Sequence, residues 1–236
     1  MKLSVLEALN AARGARQAVM VVTNVATGES RLVRDGDDTR ADPLGEELQA
    51  RFRSGVSGMV TTTSGEALFL TVHLPPPRLV VIGAVHISQA LAPMARIAGF
   101  DMTIIDPRTA FASPDRFGDV RLIAEWPDEA LPRVGLDAFT ALAALTHDPK
   151  IDDGAIAAAL GAGCFYVGAL GSRKTHGRRL ERLSAGGLDD RLFGRIQAPI
   201  GLAIGAQSPA EIAVAILAQV IAALRSRGAP TKDAAA

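Results

Sequence analysis

A single cysteine, Cys164, occurs among 236 residues. One thiol excludes an intramolecular disulfide framework and fits a reducing compartment. No long apolar run follows the N-terminus, MKLSVLEALNAARGAR, so no signal peptide is read there. The longest apolar stretch, IAVAILAQVIAAL, falls short of the roughly 20 residues a membrane span needs, and it is bracketed by Glu211 and Arg225. A soluble, cytoplasmic protein with no membrane partner is the expectation. Neither sign of charge is in excess, with 25 Lys plus Arg against 25 Asp plus Glu. This balance excludes nucleic acid as the expected partner, since its binders carry a clear basic surplus; it fits a protein that associates with itself or with another protein. The chain also lacks H-x-x-x-H and C-x-x-C spacings, so no metal site is expected. No G-x-x-x-x-G-K-[ST] P-loop occurs either.

What is present is a chain 48% hydrophobic and 21% charged, enough for a sizeable core in one large domain or in a small one joined to a medium one. Residues 3–13 have the spacing of a short amphipathic helix. QAVMVVTNV and SRLVRD read as strands around Ala26-Thr27-Gly28. PLGEELQARFRSG is helical, with Leu44, Leu48 and Phe52 four apart and Gly55 as a stop. SGMVTTT and EALFLTVHL form a second strand pair around Ser64-Gly65. Residues 1–74 are therefore read as a small α+β domain, and Pro75-Pro76-Pro77 as a stiff linker without backbone donors.

Beyond the prolines, strands alternate with helices. RLVVIG, DMTIID, VRLIAE, TALAALTHD and FYVGAL are buried strands; helices are expected over 86–98, IDDGAIAAAL, SRKTHGRRLERL and Ser208 to Arg225. In the last, Ser208, Pro209 and Glu211 make a capping box. Such alternation predicts an α/β fold, a Rossmann-like, doubly wound parallel sheet covered on both faces, over residues 78–228. The tail, 229–236, is expected to fray.

The stretch LVVIGAVHISQAL has the outline of the first strand, turn and helix of a dinucleotide-binding fold. Its three glycine slots hold Gly83, Val85 and Ser88. Gly83 keeps the tight turn, Val85 puts a branched side chain where a pyrophosphate would approach, and Ser88 is small enough for close packing. Asp106 stands 23 residues beyond Gly83, where an acidic residue commonly holds a ribose hydroxyl. The bland alternative is a fold that needs this turn whatever it binds.

Ligands of such folds sit outside the carboxyl ends of the strands. Those ends collect His86, Asp106-Pro107-Arg108, Thr146-His147-Asp148 and residues 168–174, with His176 just beyond. Gly171, Ser172, Arg173 and Lys174 make either an anion cradle at a helix start or a capped helix with a solvated basic face. Thr146-His147-Asp148 is either a proton-carrying group or a turn ahead of Pro149. Cys164 lies at the start of its strand, ~15 Å from the rim at about 3.3 Å per residue, and is read as a buried, inert thiol.

Six segments in order carry a further reading: LVVIGAVHISQAL, TIIDPRTAF, EWPDEAL, ALTHDPKIDD, FYVGALGSRKTHGRRLERL and APIGLAIGAQSPAEIAVAILAQVIA. Together they resemble the xanthine dehydrogenase accessory factor family, XdhC/CoxI, over residues 75 to about 225. The resemblance implies a non-catalytic assembly factor. Such a chaperone binds the molybdenum cofactor and protects it while a cysteine desulfurase supplies the terminal sulfur. It then delivers the cofactor to an apo-molybdoenzyme of the xanthine dehydrogenase type, and it self-associates as a homo-oligomer. On that reading Gly83, His86, Gly171, Ser172, Arg173 and Lys174 cradle the molybdopterin phosphate. Asp106 and His147 meet pterin or sugar-like edges, and Arg108 belongs to the same cofactor-binding set. Two departures stand out. Many relatives have glycine where this chain has Val85, and longer members carry an N-terminal Gly-Gly-Gly-Cys-like stretch, so a short form is expected. The alternatives are an NAD(P)-dependent oxidoreductase and a scaffolding module with a vestigial cleft.

Overall fold

The computed structural model describes residues 2–227, so the tail expected at 229–236 lies outside the described residues. The chain divides into two units, one built on Met1–Pro75 and one on Pro76–Arg225.

The first unit contains α1 (Leu3–Gly14), β1 (Val19–Asn24), β2 (Ser30–Arg34), α2 (Gly45–Ser54), β3 (Gly58–Thr61) and β4 (Ala67–His73). Its strands form an antiparallel sheet in the order β2-β1-β4-β3. Side chains alternate across a strand. Val19 and Val21 accordingly pack with Leu9 and Ala12 of α1, while Met20 and Val22 are buried on the opposite face. α2 lies against β1 and buries Leu48 and Phe52. Gly55, in the left-handed region at φ +70°, ends that helix.

The second unit runs β5 (Arg78–Ile82), α3 (His86–Ile97), β6 (Asp101–Ile105), α4 (Pro114–Phe117), β7 (Arg121–Ile123), α5 (Pro127–Val134), β8 (Thr140–Ala144), α6 (Pro149–Gly161), β9 (Tyr166–Ala169), α7 (Arg173–Ala185), a 3-10 helix (Asp190–Arg195), β10 (Ile196–Gln197) and α8 (Pro209–Arg225). All six strands are parallel, in the order β10-β9-β8-β5-β6-β7. This is the doubly wound, Rossmann-like order, and it reverses between β5 and β8.

The apolar run of β5 has a direct explanation. Leu79 and Val81 join a core beneath α3 and α8, while Val80 and Ile82 join a second core beneath α5 and α6. A strand buried on both faces has no polar side to show. The capping box of α8 forms as read, Ser208 Oγ accepting from Glu211 N–H at 3.2 Å and Glu211 Oε2 from Ser208 N–H at 3.1 Å. Four elements escape the sequence reading: α4, α5, the 3-10 helix and β10. α5 has eight residues, two of them prolines, and β10 has two; neither is long enough to establish a period. No helix among the described residues is long and apolar enough to cross a membrane.

Candidate functional site

The strand order reverses between β5 and β8, and the crevice outside their carboxyl ends is where this architecture binds ligands. β5 runs into Gly83, whose N–H donates to Ile105 O at 2.8 Å and whose φ is +116°. A Cβ at this position would lie 2.9 Å from Thr146 Cγ2 and 3.3 Å from Thr146 N. The glycine is thus required by the neighbouring strand end. The next peptide is held on both sides. Ala84 N–H donates to Asp106 Oδ2 at 2.8 Å, and Ala84 O accepts from Arg116 Nη1 at 3.1 Å. Ser88 is buried and its hydroxyl donates to Gly83 O.

Val85 caps α3 and packs against the core beneath that helix. His86, the first residue of α3, is exposed.

Asp106, at the end of β6, is fully buried. Besides Ala84 N–H, it accepts from Arg108 N–H (3.0 Å) and Nε (2.9 Å) at Oδ1, and from Arg108 Nη2 (2.7 Å) at Oδ2. Burial pushes its pKa upward, but the hydrogen bonds from Arg108 and Ala84 outweigh this and hold the carboxyl below its ordinary range. The expectation that Asp106 presents itself to a ribose or pterin edge is therefore corrected: its carboxylate is engaged in holding the β5–α3 turn. Arg108 lies over the Phe111 ring, 4.5 Å from its centroid, and also feels the charges of Asp148 and Asp152.

At the end of β8, Thr146-His147-Asp148 shapes a turn. Thr146 Oγ1 accepts from Asp148 N–H at 3.0 Å, and Asp148 Oδ1 caps α6 by accepting from Lys150 N–H at 2.9 Å. His147 is exposed, with φ +64°. Asp148 is thereby committed to the helix start rather than to orienting the imidazole. At the end of β9, Gly171 takes φ +135°, Ser172 Oγ caps α7 by accepting from Thr175 N–H at 3.2 Å, and Arg173 and Lys174 are exposed.

The sheet order β9-β8-β5-β6 sets Gly83, His86, Asp106, Arg108, His147 and residues 171–174 along one edge. Among them, Asp106 and Arg108 are directly bonded. Cys164 is buried away from this edge in the core beneath α6, and burial pushes its thiol up to about 12.

Two buried charged residues escaped the sequence reading. Asp152 on α6 is 1% exposed and accepts from Thr146 Oγ1 at 2.7 Å; burial raises its pKa to about 6. Arg179 on α7 is 2% exposed and donates from Nη2 to Leu170 O at 3.0 Å. A signal was available for both. Asp152 falls between Ile151 and Ala155 on the buried face of its helix, and Arg179 falls one turn before the buried Leu183.

A family model described as the XdhC Rossmann domain matches residues 79–220. The chain is 30% identical over 174 residues to uncharacterized protein YqeB of Escherichia coli (strain K12), covering 72% of this chain and 31% of that protein. It is 32% identical over 180 residues to the molybdenum cofactor insertion chaperone PaoD of the same organism, covering 75% and 50%. With a probable xanthine dehydrogenase subunit of Bacillus subtilis (strain 168), identity is 32% over 155 residues, covering 65% and 45%. The chain thus matches between about a third and a half of the length of these relatives. A crystal structure described as a xanthine dehydrogenase from Bacillus halodurans superposes with a TM-score of 0.65 at 24% identity, over 98% of this chain and 66% of that one, a likeness of fold.

Proposed function

The chain belongs to the XdhC family, and from that premise we propose that it serves in molybdoenzyme assembly, holding the molybdenum cofactor at the strand-end edge and passing it to an apo-enzyme of the xanthine dehydrogenase type. The names of two relatives support this, one a cofactor insertion chaperone and one a probable xanthine dehydrogenase subunit. A cysteine desulfurase as sulfur donor, self-association and a cytoplasmic setting complete the proposal. On it the protein binds and releases, and carries out no turnover of its own.

The observation that carries the reading is the polar edge itself. The cofactor has a phosphate at one end and a pterin at the other, and the edge has features suited to both. α7 begins with Ser172 as its cap, followed by exposed Arg173 and Lys174, and a helix start with added positive charge attracts a phosphate. Buried polar atoms of α6 and α7 without hydrogen-bond partners among the described residues adjoin it. In this assignment Gly83 and Asp106 hold the turn, His86, Arg108 and His147 line the rim, and Gly171 to Lys174 receive the phosphate.

An NAD(P)-dependent oxidoreductase draws support from the strand order alone. Against it, the carboxylate that would take a ribose hydroxyl is already bonded to Arg108 and Ala84. The test is equilibrium binding, at matched salt, of NAD(H), NADP(H) and molybdenum cofactor released anaerobically from a molybdoenzyme. Cofactor binding without dinucleotide binding is expected, and Arg173→Ala with Lys174→Ala should weaken it. Micromolar dinucleotide binding alone would replace the carrier with the oxidoreductase.

A further inference from the structure

Asp152, His176 and Arg179 project from α6 and α7, two helices packed against each other on one face of the sheet. Asp152 engages Oδ1 with Thr146, while Oδ2 is buried with no hydrogen-bond partner among the described residues. Arg179 engages Nη2 with Leu170 O, while Nε and Nη1 are buried without one. Its nearest carboxylate, Asp153, stands 3.7 Å from Nε and is itself bonded to Arg182. His176, one turn before Arg179, has Nδ1 buried in the same condition. Thr146 and Leu170 follow the paired strands β8 and β9, which lie about 4.8 Å apart. The two head groups therefore converge at adjacent strand ends, and each acts on the other's charge. Buried polar groups are as a rule hydrogen-bonded, so a cluster of unpaired ones where this fold places ligands indicates a binding surface.

We propose that Asp152, His176 and Arg179 form the recognition floor of the crevice, and that it takes a flat heterocycle by a lactam–amidine edge of the kind shared by pterins and guanine. The inference rests on the carrier reading above and adds which part of the ligand is read. The donor and acceptor set dictates the class. Nε–H and Nη1–H of Arg179 do not share an edge of the guanidinium, and Nε faces Asp153 at 3.7 Å, so Nη1 is left to donate to a single acceptor such as a lactam carbonyl. Pterins and guanine both present such a carbonyl beside the amidine. Asp152 Oδ2 and His176 Nδ1 call for N–H donors, which the amidine portion supplies. Burial, with Arg179 beside it, lowers the pKa of His176 and so favours the neutral imidazole whose nitrogen can accept. Inorganic phosphate would suit Arg179 but meet Asp152 and Asp153 as like charges, so a bare anion is the wrong occupant. These atoms are closed to solvent, so a ring reaches them only when the groups covering them move aside.

The test is fluorescence titration of the full chain with 6-hydroxymethylpterin, guanosine, inorganic phosphate and lumazine, in which the pterin amino group is replaced by oxygen. The unaltered protein should bind the pterin about tenfold or more tightly than lumazine, the scale of one charge-assisted hydrogen bond. Phosphate, which residues 171–174 receive, should leave pterin affinity unchanged. Asp152→Asn, which keeps the shape and an acceptor for Thr146, and Arg179→Met should each weaken pterin binding by a similar factor. Equal affinity for pterin and lumazine in the unaltered protein overturns the proposal, whether or not Arg179→Met folds. A preference for guanosine keeps the floor and moves its ligand to the guanine source. Anaerobically released cofactor bound equally by both variants and the parent overturns the floor but leaves the carrier standing. Pterin binding without whole-cofactor binding does the reverse.

Discussion

Gly83→Ala tests whether the first turn is set by packing or by ligand. At φ +116° an added side chain incurs about 1–2 kcal/mol of backbone strain. The new Cβ would also stand 2.9 Å from Thr146 Cγ2, with Thr146 N at 3.3 Å and Leu145 C at 3.4 Å behind it. Two of these neighbours are backbone and cannot rotate away, so overpacking adds about 1–3 kcal/mol. Reduced freedom of the unfolded chain returns about 0.4–1 kcal/mol. The net expectation is a loss of about 1–5 kcal/mol, or ~2–18 °C in melting temperature for a unit of this size. Gly99→Ala is the control: φ is +84° but nothing lies within 4 Å of its Cβ, so it carries the strain alone. The assay is urea unfolding followed by Trp126, the sole tryptophan, which lies in the Pro76–Arg225 unit and reports on it. If Gly83→Ala is no more destabilised than Gly99→Ala, the packing argument is refuted.

Asp152, with its pKa raised to about 6 against an unfolded value near 3.9, binds a proton more readily when folded. Its favourable contribution is full below about pH 4 and is lost as pH rises through about 6. Asp152→Asn should therefore be more stable than the parent at pH 8 by about 1–3 kcal/mol and similar near pH 4; greater stability of the parent at pH 8 in urea melts would sink this. Asp106 has the opposite sign, its folded pKa being lowered, so its contribution is present at neutral pH and lost as pH falls through that folded value. Asp106→Asn should cost about 2 kcal/mol at pH 7, kept modest because Arg108 is a third exposed, and the gap should close in acid. Cys164 should resist a thiol-exchange dye at pH 8 until urea unfolds the chain, because the thiolate is the reactive form; labelling of the native protein at the unfolded rate would contradict its burial.

The fold was legible because its strands announce themselves twice. Residues 79–82 are apolar at every position, and both of their faces prove to be core. The alternation of strand and helix then leaves few ways to connect them. Turn chemistry was equally plain, since Gly55 and the Ser208–Glu211 box act through local backbone geometry. α5 and β10 were hidden because short elements have no period. At the edge, reading strand ends found which residues share a rim but not which way they face. Asp106 occupies the position of a ribose-binding acid yet turns to Arg108, two residues on, a choice set by that arginine's fork rather than by spacing. Asp152 and Arg179 were missed for a related reason. A charge on an apolar helix face reads as an interruption of the pattern until a neighbouring helix brings a second one beside it.

The three fingerprint slots now have structural occupations. Gly83 leaves room for Thr146, Val85 packs beneath α3, and Ser88 donates to the Gly83 carbonyl. With Ala84 held through both its N–H and its C=O, the turn satisfies itself from within. A dinucleotide in the usual pose would have to compete with those bonds, and it would leave Oδ2 of Asp152 and Nη1 of Arg179 without hydrogen-bond partners. A ligand reaching the ends of β8 and β9 would disturb none of the turn's hydrogen bonds and would meet the unpaired atoms. On the reading proposed above, the ligand sits shifted from the first turn toward α6 and α7, on the other side of the point where the strand order reverses.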